Sequence, residues 1–219
     1  EIEMANKYKI QNRDTGEDIF YAVEQTSCLT RQLKQCCGDC AGWDLDILFI
    51  AQGMSMPAMK MSKPWTATFL CCNRPVVEVL DAQSGMPMGS ITDPCMCFNM
   101  KFVVNNMYGV PVVFADGGCC QPGVWLPLPC GPCSEISFDL IHPDSGSKIG
   151  ELKKKVPGCL KFFLAPDVDN YIVQFYPGWD GRSKALVLAL AIFMDFRLFS
   201  ENPNDDDDSR VGQLQEAFQ

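Results

Sequence analysis

Thirteen cysteines stand in this chain, most of them grouped as Cys36/Cys37/Cys40, Cys71/Cys72, Cys95/Cys97, Cys119/Cys120 and Cys130/Cys133, with Cys28 and Cys159 alone. Neighbouring cysteines bridge each other poorly, the count is odd and no signal peptide opens the chain, so a reducing compartment is expected. There a cysteine pair serves as small buried hydrophobes, as metal thiolates, or as acceptors for a thioester-linked acyl chain. Cys37/Cys40 and Cys130/Cys133 have the C-x-x-C spacing of zinc knuckles. Phe69-Leu70-Cys71-Cys72 sets two thiols beside apolar residues ahead of an expected strand over residues 76–80, as palmitoylation requires, with core-facing cysteines as the alternative. Cys130-Gly-Pro-Cys133 also spells a thioredoxin redox motif, which needs a βαβ context that the surrounding Pro-rich sequence does not offer.

Catalytic chemistry finds little support. Nucleophilic hydrolysis needs a base beside the nucleophile, and the single histidine, His142, falls at a turn before Pro143. There is no Gly-rich phosphate loop and no G-x-S-x-G elbow, so a non-enzyme is expected. The net charge of -9 argues against nucleic acid as a partner, since phosphate binding needs clustered Lys and Arg. Part of that charge is the run Asp205, Asp206, Asp207, Asp208, expected as a solvated tail. Lys153, Lys154 and Lys155 form the one basic run, expected at a solvated strand edge, where it could attract anionic headgroups.

The elements that must position these residues follow from an internal echo. V-V-E-V-L-D-A-Q-S-G-M-P-M-G-S-I-T over residues 76–92 aligns without a gap with S-F-D-L-I-H-P-D-S-G-S-K-I-G-E-L-K over residues 137–153. Each copy reads as a strand, a Ser-Gly turn and a strand, the glycine supplying the positive φ of a hairpin. A second echo links Tyr8-Lys-Ile-Gln-Asn with Phe102-Val-Val-Asn-Asn, each followed by a turn and an apolar strand. Duplicated hairpins lose their sticky edges by closing into a barrel. Residues 54–65, with four methionines and two prolines, read as a mobile loop that packs on the barrel or touches lipid.

Residues 184–199 break the β pattern as a helix that is apolar on every side. Such a helix is buried in protein or in lipid. At about 24 Å it falls short of a hydrocarbon core of about 30 Å, and Asp195 and Arg197 lie within its last turns. Lys184, Leu188, Ile192, Phe193, Asp195, Phe196 and Phe199 mark it as either core plug or membrane anchor.

With these elements placed, the sequence resembles the phospholipid scramblase family. The resemblance is carried by Asp167-Val-Asp-Asn-Tyr-Ile-Val-Gln-Phe175, by Lys184-Ala and the apolar helix closing in Ile192-Phe-Met-Asp-Phe196, and by Tyr8-Lys-Ile-Gln-Asn-Arg with Phe20-Tyr-Ala-Val-Glu. Arg74-Pro75, Gly89-Ser-Ile91, Gly118-Cys119-Cys120 and Cys130-Gly-Pro-Cys133 fall between them in order, so the resemblance covers about residues 7–202. It implies a mainly β, tubby-like fold: a closed antiparallel β-barrel around a hydrophobic C-terminal helix. It also implies calcium-stimulated, ATP-independent, bidirectional movement of phospholipids between bilayer leaflets, with acylated cysteines and the C-terminal helix as anchors.

The family's calcium segment falls on residues 167–178, with Asp167, Asp169 and Asn170 as oxygen donors and Asp180 just beyond. The twelfth position, where the family carries Asp, is Gly178; without that closing carboxylate the expected affinity is weak. The resulting organisation is a tail over residues 1–6, one domain over residues 7–202 and an acidic tail over residues 203–219. A membrane protein with its bulk in the cytoplasm is expected, with membrane phospholipids as partners and homo-oligomers allowed. The competing reading is a non-transporting lipid- or protein-binding module of the same fold.

Overall fold

The computed structural model describes residues 7–25, 40–51, 54–68, 72–96, 99–126, 128, 131–155 and 170–199. Eleven antiparallel strands form one sheet in chain order: β1 (Lys7–Gln11), β2 (Asp18–Glu24), β3 (Trp43–Ala51), β4 (Met54–Lys63), β5 (Val76–Asp81), β6 (Pro87–Thr92), β7 (Asn99–Asn106), β8 (Pro111–Gly118), β9 (Glu135–Ile141), β10 (Lys148–Lys155) and β11 (Asn170–Phe175). A one-turn helix, α1 (Pro122–Trp125), lies between β8 and β9. The long helix α2 (Gly181–Met194) follows β11 and widens into a π-helical turn over Asp195–Phe199. The meander puts the turns after odd-numbered strands at one rim, called here the near rim, where α2 also begins. The connections after even-numbered strands leave from the opposite, far rim, where α2 ends.

The strands form because their sequence alternates with a period of two. Val77 and Val79 of β5, and Ile136, Phe138 and Leu140 of β9, are buried, while their neighbours Glu78 and Asp139 face outward. The echoed hairpins have the same turn. Asp81 N donates to Met86 O and Gly85 N to Asp81 O at 2.9 and 2.8 Å; His142 N donates to Ser147 O and Gly146 N to His142 O at 2.9 Å each. Gly85 and Gly146 have φ of 68° and 65°, which non-glycine residues adopt at a cost. Asp81 Oδ1 accepts from Gln83 N, and His142 Nδ1 accepts from Asp144 N in the same role, so the single histidine is a turn cap. Asn12 opens the β1–β2 turn in the same way, and Asn106 does so at β7–β8.

The inner face of the sheet packs against α2. Leu186, Val187, Ala189, Leu190, Ala191, Ile192, Phe193 and Met194 are all buried, in one cluster with inward residues from β2 to β10. Phe193 lies edge-on to Phe102 of β7 at 5.8 Å, and Phe196 stacks on Trp43 of β3 at 4.5 Å and 17°. Full burial of a Leu, Ile or Phe side chain is worth about 1.5–3 kcal/mol. The choice between core plug and anchor therefore falls to the core in this structure. Among the described residues no helix is long and apolar enough to cross a membrane.

Four expectations change. The helix starts at Gly181, three residues before the expected boundary, because Asp180 caps it. Residues 54–63 are a strand, not a loop: Met59 and Met61 are buried, and Pro57, which has no N–H to donate, sits at a break in the β3–β4 register. The basic run is not wholly solvated, because Lys154 is buried on the inner face of β10. The sheet is also open in its backbone pairing, since among the described residues no ladder joins β11 to β1 and a hydrogen-bonded closed barrel is not formed.

Gly89 of β6 lies close under both the β7 backbone and α2. A Cβ there would lie 2.2 Å from Asn105 O and 3.0 Å from Leu186 Cδ1. Gly89→Ala is therefore expected to lower stability by about 1–3 kcal/mol in urea unfolding, whereas Gly118→Ala, with open space around it, leaves the midpoint within about 0.5 kcal/mol.

Candidate functional site at the far rim

The apolar helix carries two charges near its end, Asp195 and Arg197, and delivers both to the far rim. Asp195 Oδ2 accepts from the Tyr8 hydroxyl and Oδ1 from the Tyr171 hydroxyl, each at 2.7 Å. Tyr8 belongs to β1 and Tyr171 to β11, the two edge strands. One carboxylate thus ties the edges that the backbone leaves unpaired. Lys154 Nζ lies 4.0 Å from Oδ1 and 5.7 Å from the centre of the Tyr171 ring, so the buried ammonium and the carboxylate offset each other.

One strand connection away, Asp93 follows β6 and is 4% exposed. Its Oδ2 accepts from Arg197 Nε at 2.7 Å and from an Arg74 guanidinium nitrogen at 2.5 Å, and its backbone carbonyl accepts from Arg74 Nε at 2.8 Å. Oδ1 of Asp93 is buried with no partner among the described residues. A buried carboxylate is tolerated only when paired, and here two guanidiniums pair it. Lys63, also buried, donates from Nζ to Ala41 O at 2.8 Å. These groups hold the rim together, and none presents a nucleophile beside a base.

The sequence-expected site residues are spread out. Asp167, Asp169, Cys37, Cys71 and Cys130 lie outside the described residues. Asn170 starts β11 at the far rim, in register with Lys155. Asp180 lies beyond the opposite end of that six-residue strand, about 17 Å away at 3.3 Å per residue, so the structure does not bring it together with Asn170. Its Oδ2 instead accepts from Arg182 N and Ser183 N at 3.1 Å each, capping α2. The hydrogen bonding from Ser183 holds its carboxyl below the ordinary carboxylate value, against the opposing effect of partial burial.

Cys72 is exposed, and Cys40 and Cys133 are half-buried, Cys133 in a single 3-10 turn before β9 rather than at the start of a long helix. Among the described residues no group of three or more His, Cys, Asp or Glu could hold a metal ion. Cys119 and Cys120 bring their sulfurs to 3.7 Å, and that contact pushes the Cys119 thiol up. Along α2, Ile192, Phe193 and Phe196 are buried, Leu188 is half-buried, and Lys184 is exposed with its ammonium 5.8 Å from the Phe175 ring centre. The Asp195 and Asp93 clusters were not foreseen; the one hint was that two charges end an otherwise apolar helix.

A family model described as Scramblase matches residues 1–201, which include every described strand and α2. The chain belongs to the scramblase family. Phospholipid scramblase 1 of Mus musculus is 30% identical over 217 residues, covering 97% of this chain and 60% of the relative. Phospholipid scramblase 2 of Bos taurus is 30% identical over 203 residues, covering 90% and 62%. Phospholipid scramblase family member 5 of Homo sapiens is 22% identical over 201 residues, covering 91% and 68%. The chain thus spans about 60% of the length of the first two relatives. No solved structure matches it.

Two outcomes test this scramblase-family rim. Tyr8→Phe and Tyr171→Phe each remove a hydrogen bond to a charged group and are expected to cost about 1.5–3 kcal/mol in denaturant unfolding; a double-mutant cycle through Asp195→Asn should show coupling of about 0.5–3 kcal/mol. Asp180→Ala is expected to cost about 1 kcal/mol at pH 7 through the lost cap. Folding lowers the Asp180 pKa, so its contribution is complete above the unfolded value and fades as pH falls through the folded one. Unfolding curves of wild type and variant should converge on acidification.

Proposed function

We propose that this chain moves phospholipids in both directions between bilayer leaflets, stimulated by calcium and without ATP or covalent chemistry. The observation that carries the reading is the family match over residues 1–201, taken with relatives named phospholipid scramblase at 30% identity. The proposed architecture is a barrel around α2, its seam between β1 and β11 bridged by Asp195. The bulk of the chain sits in the cytoplasm against a membrane, and acylation of Cys71 and Cys72 strengthens the attachment. Calcium is taken by Asp167 and Asp169 with Asn170. Affinity is weak, since Gly178 stands where a closing carboxylate is needed. Asp180 joins such a site only by giving up its cap on α2.

One observation favours a second reading. The side chains that would face lipid in a spanning helix fill the core instead, so a lipid-binding module that does not transport needs no rearrangement of α2. Leaflet exchange of a fluorescent phospholipid, measured in vesicles holding the full chain and titrated with calcium, separates the two. Exchange that rises with calcium, and no longer does so in Asp167→Ala/Asp169→Ala, supports transport. Vesicle binding without exchange at any calcium concentration leaves the binding module.

A further inference from the structure

All thirteen cysteines fall in connections that leave from the far rim: Cys28, Cys36, Cys37 and Cys40 between β2 and β3, Cys71 and Cys72 between β4 and β5, Cys95 and Cys97 between β6 and β7, Cys119, Cys120, Cys130 and Cys133 between β8 and β9, and Cys159 between β10 and β11. The near-rim turns contain none. Three of these five connections, unlike those after β2 and β10, are also free of charge apart from Arg74 and Asp93 at their ends. Residues 64–73, 94–100 and 117–134 carry no Asp, Glu, Lys or Arg. They join β4 to β5, β6 to β7 and β8 to β9, so they leave from one contiguous sector of the rim. At the near rim, Arg13, Asp14, Glu17, Asp144 and Asp180 lie in the connections and Asp81 ends β5.

The uncharged sector exposes large apolar side chains. Trp65 is 61% exposed, Met96 49%, Trp125 76% and Leu126 53%. Several of its polar side chains are already bonded to backbone. Trp125 Nε1 donates to Cys119 O at 2.7 Å; Gln121 Nε2 donates to Ser137 O and Gln121 Oε1 accepts from Ser137 N; Asn73 Nδ2 donates to Ala67 O; Thr68 Oγ1 donates to Asn73 O. Of the charges that flank it, Arg74 and Asp93 pair with each other, Asp93 with Arg197, and Glu135 with Lys155. A surface whose hydrogen bonds are already made loses little on leaving water, and tryptophan favours the boundary between headgroups and acyl chains.

We propose that the sector formed by residues 64–68, 72–73, 94–96 and 117–126 is the face laid on a lipid bilayer, with Trp65, Met96, Trp125 and Leu126 entering the headgroup region. A protein of net charge -9 is repelled by anionic headgroups wherever its carboxylates lead, and this sector is the approach on which none does. The near rim also exposes Met54, Met56, Met86, Tyr108 and Val110, but charges stand beside them there: Asp81 opens the turn that carries Met86, and Arg182 reaches Met107 Sδ, next to Tyr108, at 3.4 Å. The inference deepens the membrane placement proposed above and rests on it, though not on lipid transport.

The test is flotation of the full chain with phosphatidylcholine vesicles, after hydroxylamine has removed any thioester-linked acyl chain. Wild type is expected to bind, with tryptophan emission shifting to the blue and quenched by brominated acyl chains. Leu126→Asp and Met96→Asp are each expected to weaken partition at least about tenfold, and Trp65→Ala to weaken it measurably. Met86→Asp and Tyr108→Asp leave it unchanged. Unaltered unfolding curves for the aspartate variants show that the fold is intact; for any variant that unfolds, quenching of the wild-type tryptophans decides. Failure of wild type to float, equal loss from near-rim variants, or burial of the sector in a dimer seen by sedimentation would overturn the proposal. Retained flotation with absent leaflet exchange would count against transport alone.

Discussion

The constraint on which the rest depends is that a helix with no polar side must be enclosed. Helix α2 buries every residue from Leu186 to Met194 except the half-buried Leu188, and only a sheet that curls about it can supply that much apolar contact. The inward residues of β2 to β10 serve this end, and so does Gly89, which lets α2 come within reach of the β6 backbone. Removing the helix would leave the inner face of the sheet hydrated, so sheet and helix fold as one body.

Enclosure leaves a seam, and the polar end of the helix closes it. Asp195 reaches an edge tyrosine on each side, and Arg197 joins Arg74 in neutralising Asp93. Charges in such a place cost desolvation, which offsets much of what their pairing adds to stability. Their effect is geometric: they set how far α2 runs through the sheet and which strands meet at the seam. The far rim is thereby held in one arrangement from which its uncharged connections project.

Much of this was legible in the sequence because the signals are local. The Ser-Gly turns at 84–85 and 145–146, the period-two strands beside them and the apolar run from Ala185 to Met194 each follow from residues close in sequence. What was missed depends on distance. Nothing near Asp195 announces Tyr8, 187 residues away. Lys154 looked solvated because its neighbours are, yet β10 alternation turns it inward. The two prolines hid β4, since Pro57 is acceptable only at the register break opposite β3. Asp180 is expected with Asn170 because it follows the segment that the family resemblance assigns to calcium, whereas strand β11 holds them at opposite rims.

The central claim, that α2 is the enclosed core and remains so at a membrane, is tested most directly by amide hydrogen exchange of the full chain bound to vesicles. The account predicts that the amides of residues 186–194 are among the slowest to exchange, opening only with global unfolding, and that their protection is the same free and bound. Selective loss of protection in α2 on vesicle binding, with the strands still protected, would contradict it and mean that the helix leaves the sheet for lipid.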